Sequence, residues 1–212
     1  MCSASPYNLD LAQYKFDSPL KGWEHHAPLP ETKSIDGKSF DNPEKGTLSE
    51  AYENFTTPIS NGGRQDTQLP GFDVHVYFNT DDDYQTRYAR DLWMRIRLEF
   101  PELRVYPIHT APNGPHAPGM FEVALFTPHQ FGAFVSWLIV HRGPLSALVH
   151  PNTDDELRDH LLMTTWLGPP VPLDMQRFRL RPECETLDRK NGSITKVLAT
   201  ADGHIKKEVR VI

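Results

Sequence analysis

The sequence predicts an α+β fold: a four-stranded antiparallel sheet with two helices packed on one face, in the order β-α-β-β-α-β. Three observations predict it. Residues 71–79, GFDVHVYFN, alternate apolar and polar side chains with the period of a half-buried strand. Residues 81–100 and 127–143 carry apolar residues at helical spacing between recognisable start and stop signals. Three further short strand-like runs fall where that order needs them, at 103–110, 120–126 and 145–150.

In the first strand Val74, Val76 and Phe78 share one face, and Asp73, His75 and Tyr77 share the other. The first helix follows, with Ala89, Leu92, Trp93, Ile96 and Phe100 as its apolar stripe. The acids Asp81, Asp82 and Asp83 suit the positive end of its dipole, which explains them better than a metal site does. Pro101 marks its end. The second strand, LRVYPIHT, contains Pro107 and therefore belongs at an edge or a bulge. APNGPHAPG at 111–119 is a loop, and MFEVALF is the third strand. Thr127, Pro128 and Gln130 form a capping box with proline at the first helical position, and Phe131, Phe134, Val135 and Leu138 form the stripe of the second helix. Gly143-Pro144 ends it, and LSALVH is the fourth strand. Thr153 and Glu156 predict a further capping box, opening a helix through about Trp166.

This order matches a ferredoxin-like sandwich, with the helices on the Val74/Val76/Phe78 side. Asp73, His75 and Tyr77 then line an open face. That face requires a cover: the N-terminal arm, the tail, a second subunit or a substrate. A homodimer is an expectation on that ground. Residues 1–70 read as an extended arm with a turn or two of helix near TLSEAYENF, where Thr47 and Glu50 suggest a cap. Residues 71–180 form the domain. Residues 181–212 form a tail in which TKVLAT and IKKEVRVI, separated by Asp202-Gly203, pair as a hairpin.

Composition excludes several classes. The formal charge of −6 argues against nucleic-acid binding. No apolar run spans a bilayer, and the N-terminus lacks signal-peptide character. Two cysteines, Cys2 and Cys184, make a structural disulfide or cysteine zinc site improbable, so a cytoplasmic location is expected. The chain contains ten histidines, seven of them between residues 72 and 180.

Four of these invite a chemical reading. His75 lies mid-strand on the open face, His116 sits in a loop stiffened by glycine and proline, His150 ends a strand before Pro151, and His160 lies on the following helix. Each has a structural explanation when taken alone: a buried hydrogen-bonded histidine, an inert loop residue, a strand-end cap, a partner for Glu156. Their spacing matches no compact zinc motif, and no nucleophile or phosphate-loop motif is present. Arg142, beside Gly143, reads by position as a solvated charge within reach of the fourth strand. His25-His26 read as a surface pair, and His109, His129, His141 and His204 as structural or surface residues.

Together the motifs FDVHVYF, GPHAPGMFEV, WLIVHRGPLSALVHPNT, DDELRDH and WLG, in this order across residues 70–175, resemble the DOPA 4,5-dioxygenase family. The resemblance implies a ferredoxin-like fold and extradiol cleavage of DOPA or a related catechol by O₂ at a non-haem metal, Fe(II) or another divalent ion. It implies His75, His116 and His150 as metal ligands, His160 as acid/base or substrate contact, Arg142 as a bidentate partner for a substrate carboxylate, and Glu122 as an alternative carboxylate ligand. The chain departs from the family pattern at Asp73, where some relatives carry a histidine, at His141, and in the length of the His116 loop. The alternative function is a non-catalytic module that binds a small aromatic ligand or a partner on the open face.

Overall fold

The computed structural model describes residues 17–25, 27–43, 47–56, 58–59, 69–153 and 155–174, and the backbone of three strands between 183 and 211. Internal contacts divide the chain into two units, residues 1–48 and 49–212. In the first, Lys33 pairs with Phe40 across a turn, its ammonium 3.7 Å from the Phe40 ring centre.

In the second unit a single 3-10 turn, Glu50–Tyr52, is capped by Ser49 rather than by Thr47. Phe55 packs on Phe72 and Phe131, with ring centroids 5.0 and 6.3 Å away. The sheet follows: β1 (Phe72–Phe78), β2 (Arg104–Val105), β3 (Gly119–Leu125), β4 (Ser146–Pro151) and β5 (Thr165–Leu167), in the spatial order β2-β3-β1-β4-β5. All four neighbouring pairs are antiparallel. Helix α1 (Asp83–Glu99) joins β1 to β2, α2 (Pro128–His141) joins β3 to β4, and α3 (Glu156–Leu161) joins β4 to β5.

The first four strands reproduce the ferredoxin-like arrangement, and β5 adds a fifth. The expected helix through Trp166 stops at Leu161, and Thr165, Trp166 and Leu167 pair with Val149, Leu148 and Ala147. Without β5 the edge of β4 would present unpaired N–H and C=O groups. A threonine and a tryptophan suit that pleated position better than a helix.

Helix starts follow local chemistry. Asp82 caps α1 by accepting from the N–H groups of Tyr84 and Gln85. Thr127 caps α2 by accepting from Gln130 N–H, while Gln130 Oε1 accepts from Phe126 N–H. The box at Thr153 and Glu156 does not form as expected. Asp155 caps α3 by accepting from Arg158 N–H. Thr153 instead donates its hydroxyl to Asp159, because that buried carboxylate needs donors.

The core lies between sheet and helices. Val74, Val76 and Phe78 meet Ala89, Leu92 and Ile96 of α1 and Phe134 and Leu138 of α2. Each large side chain buried there contributes about 1.5–3 kcal/mol. On the opposite face Tyr77, Met120 and Leu148 form a smaller cluster against Trp166, Val171 and Leu173. The cover of the open face, among the described residues, therefore comes from the segment after β4 and from the loop before β3. His116 bridges to Leu173, and Asp174 N–H donates to Pro115 O at 2.8 Å. Beyond residue 182, β6 (Glu183–Asp188), β7 (Ser193–Ala199) and β8 (Ile205–Val211) form a separate antiparallel sheet. The expected hairpin corresponds to β7 and β8; its turn at Asp202-Gly203 lies outside the described residues.

Candidate metal centre

Strand alternation puts His75 on the open face of β1, and antiparallel pairing puts His150 of β4 on the same face, opposite Asp73. Residue 160 reaches that face because α3 turns back over the end of β4. One ring nitrogen from each of His75, His150 and His160 lies within 4.8 Å of those of the other two. All three side chains are buried.

The second nitrogens decide the chemistry. His150 Nδ1–H donates to Pro151 O at 2.9 Å, and His160 Nδ1–H donates to Glu156 O at 2.8 Å. A carbonyl can only accept, so in the neutral rings Nε2 of both is left with its lone pair. This is how metal-binding histidines are held elsewhere: the outer nitrogen on a backbone carbonyl, the inner one bare. Both residues thus do what their structural explanations say, capping backbone groups, while turning the other nitrogen inward.

His75 has no such partner. Its Nδ1 is buried and makes no hydrogen bond, the nearest acid oxygen being Glu122 Oε2 at 3.8 Å. Its Nε2 lies 3.0 Å from Nε2 of His150. If His75 Nε2 carries the proton, Nδ1 is an unmet buried acceptor. If Nδ1 carries it, two lone pairs face each other at 3.0 Å. Either state leaves a buried nitrogen unsatisfied, at a cost of about 1–3 kcal/mol. A cation between the nitrogens removes the conflict, and two atoms at that separation can each lie about 2.1 Å from one ion. The donor set fits a divalent transition metal.

Burial holds His75, His116 and His150 neutral, the form that binds metal. It lowers His150 to about 3, helped by His160, and lowers His116 to about 3 in the same way. His75 is pushed well below the usual histidine value by burial and then by the surrounding imidazoles. Two acids flank the group. Burial and the neighbouring Asp73 raise Glu122; burial also raises Asp73, against a hydrogen bond from Asn152 at 2.9 Å.

His116 stands beside this trio. Its ring centre is 4.1 Å from that of His75 and 5.6 Å from that of His160. Its Nδ1 shares a 2.7 Å hydrogen bond with the Tyr77 hydroxyl, whose ionisation burial suppresses. The loop is fixed by paired hydrogen bonds between Asn113 and His116, with Gly114 at a φ of 55° that favours glycine. The four histidines lie together, but the three mutually close nitrogens belong to His75, His150 and His160, whereas the resemblance implies His75, His116 and His150 as ligands and His160 as acid/base; His116 instead pairs with Tyr77. Tyr77 carried a sequence signal, its parity with His75, but nothing local named its partner. Asp159 carried none: it accepts from Thr153 N–H and Oγ1–H at 2.8 and 2.7 Å and so ties α3 to the end of β4.

Arg142 is placed apart from the cluster. It caps α2, and its Nη1 donates to the carbonyls of Leu145 and Gly143, beside the Ser146 end of β4. His25 is exposed, and His26 and His204 lie outside the described residues. No helix among the described residues is long and apolar enough to cross a membrane.

Comparison with known proteins finds several similar chains. An uncharacterized 21.2 kDa protein of Botryotinia fuckeliana is 51% identical over 173 residues, covering 78% of this chain and 92% of that protein. A DOPA 4,5-dioxygenase of Amanita muscaria is 32% identical over 124 residues, 56% of this chain and 54% of its own length, so the match spans about half of each. The solved structure of a candidate dioxygenase from Nostoc punctiforme is 35% identical with a TM-score of 0.44, covering 52% of this chain and 92% of that one. The family model of the Dopa 4,5-dioxygenase family matches residues 72–177, the segment that holds the four histidines buried among the described residues. The chain belongs to the Dopa 4,5-dioxygenase family.

Proposed function

We propose that the protein is an extradiol dioxygenase that opens the ring of DOPA or a related catechol with O₂, using Fe(II) held by His75, His150 and His160. The observation that carries this reading is the convergence of three buried imidazoles, with Nε2 of His75 and of His150 only 3.0 Å apart and Nδ1 of His75 buried without a hydrogen bond. Family membership supports the reaction class, and the Amanita relative supports the substrate. Three histidines with open positions suit Fe(II), which when bound supplies a common site for both catechol oxygens and O₂.

The chain's own residues supply the rest. The backbone carbonyls of Pro151 and Glu156 engage Nδ1 of His150 and His160 and turn Nε2 of each inward. His116, neutral and held by Tyr77, is placed to take a proton from a catechol hydroxyl beside His75. Trp166, packed on Tyr77 with ring centres 5.6 Å apart, provides an aromatic wall that keeps water out. A substrate carboxylate reaching the Ser146 end of β4 would meet the guanidinium N–H groups of Arg142 that Leu145 and Gly143 leave unused.

The test is direct. Protein loaded anaerobically with Fe(II), mixed with DOPA and exposed to air, consumes one O₂ per ring and forms a yellow ring-opened product. His150→Ala abolishes turnover while leaving the domain folded. Loaded wild-type protein that leaves a panel of catechols untouched defeats the proposal. Tight catechol binding without O₂ uptake would instead point to a non-catalytic binding module.

A further inference from the structure

The three imidazoles of the centre are not held alike. His150 and His160 each lean their outer nitrogen on a backbone carbonyl, of Pro151 and Glu156 respectively. His75 lies mid-strand, where its neighbouring carbonyls are spent on the ladders to β3 and β4. Its outer nitrogen, Nδ1, is buried without a hydrogen bond. The side chain facing it is Glu122, directly opposite His75 in the β1–β3 register, with Oε2 3.8 Å from Nδ1. Asp73, the other acid of this face, lies two residues along the strand, and its Oδ2 is engaged by Asn152.

We infer that Glu122 is the positioning residue for His75: it accepts the Nδ1 proton, fixes the ring with Nε2 toward the other two histidines, and is not itself a metal ligand. The inference rests on the reading of His75, His150 and His160 as a metal centre. The two nitrogens of an imidazole point in different directions. A carboxylate that faces Nδ1 therefore stands behind the ring, away from an ion on Nε2. An ion on Nε2 draws electrons from the ring and makes Nδ1–H a stronger donor. The gap then closes to a charge-assisted bond, which in an N–H to carboxylate pair measures about 2.7–2.9 Å. This gives His75 the outer support that its sheet position denies it, and completes one carboxylate–imidazole–metal arm beside two carbonyl–imidazole–metal arms.

The experiment uses zinc(II) alone as the probe, with no catechol and no turnover. Wild-type protein is expected to bind one zinc per chain. Glu122→Gln is expected to weaken binding about 10–100-fold at unchanged stoichiometry, and Glu122→Asp to recover part of the loss. In cobalt(II)-substituted protein the absorption bands of Glu122→Gln keep their positions, because the ligand set is intact. Nitrogen–proton correlation spectra of zinc-loaded wild type, which need no variant to fold, show His75 protonated at Nδ1 with a downfield, hydrogen-bonded proton. A Glu122→Gln affinity equal to wild type overturns this inference alone. Shifted cobalt bands, or an unprotonated His75 Nδ1, overturn it in favour of a ligand role for Glu122 or for Nδ1. Wild type that binds no zinc overturns the metal centre itself, and this inference with it.

Discussion

Asp159→Ala separates the site from the fold. Asp159 is buried, and its carboxylate takes two hydrogen bonds from Thr153, at 2.8 Å from the backbone N–H and 2.7 Å from the hydroxyl. Hydrogen bonds to a charged acceptor contribute about 1.5–3 kcal/mol each. Losing both removes about 3–6 kcal/mol, of which water reaching the exposed Thr153 groups returns a part, leaving about 2–4 kcal/mol. The loss falls on α3, a helix of six residues, far too short to persist without tertiary support. The main core contains no residue of α3 among the described residues, so the sheet and the two long helices lose little. The expected result is a 10–100-fold weaker zinc affinity, loss of catechol turnover, and hydrogen exchange that quickens in residues 153–162 but not in β1 or β3. Asp159→Asn, which keeps one acceptor oxygen, falls between. Wild-type zinc affinity in Asp159→Ala would refute the claim that α3 delivers His160. A loss of protection throughout the sheet would refute the claim that α3 is energetically local.

Three further outcomes follow from geometry away from the ligands or from their protonation. Metal-free protein loses stability as pH falls, because His116 and His150 have folded values near 3 while the unfolded chain titrates near 6.5. Between these values the unfolded state binds the extra protons, so each residue removes about 1.4 kcal/mol per pH unit, and urea midpoints measured from pH 7 to 4 should fall steeply. A flat profile would mean the histidines are not buried neutral. Gly143→Ala drives a methyl into the Tyr88 ring at a φ of 57°, and displaces the Tyr88 bond to His141 O. The combined cost is about 2–4 kcal/mol, read as a melting temperature lower by about 5–12 °C. Thr127→Ala removes the α2 cap and costs about 1 kcal/mol by denaturant unfolding, with zinc affinity unchanged.

The parts of the fold legible in the sequence were those set by local periodicity. The alternation of residues 72–78 gave both the strand and the face on which His75 and Tyr77 lie. Thr127, Pro128 and Gln130 located α2 because capping is a contact between near neighbours. Segments whose structure is set by distant partners were not legible. Thr165–Leu167 is a strand only because β4 needs a neighbour, and three residues carry no usable period. Asp155 outcompetes Thr153 as the α3 cap because Thr153 is drawn to Asp159, a preference that burial creates. The same holds at the site. Motif order brought four histidines together, but which nitrogens face inward depends on the carbonyls of Pro151 and Glu156 and on Tyr77. None of those contacts has a sequence signature.

The pairing of β1 with β3 and β4 ties the centre's assembly to the folding of the apolar core. His75, Asp73 and Tyr77 occupy the alternate positions to Val74, Val76 and Phe78 on one seven-residue strand. Slipping that strand by a single residue would send the histidine into the helices and three apolar side chains into the site. The core therefore acts as a proofreader of the face: a chain that has buried Val74 and Val76 has, by the same act, turned His75 to the side of the sheet on which His150 lies. A slip of one residue in β1 cannot spoil the centre without also spoiling the core, so no molecule with its apolar core intact carries His75 on the wrong face of the sheet.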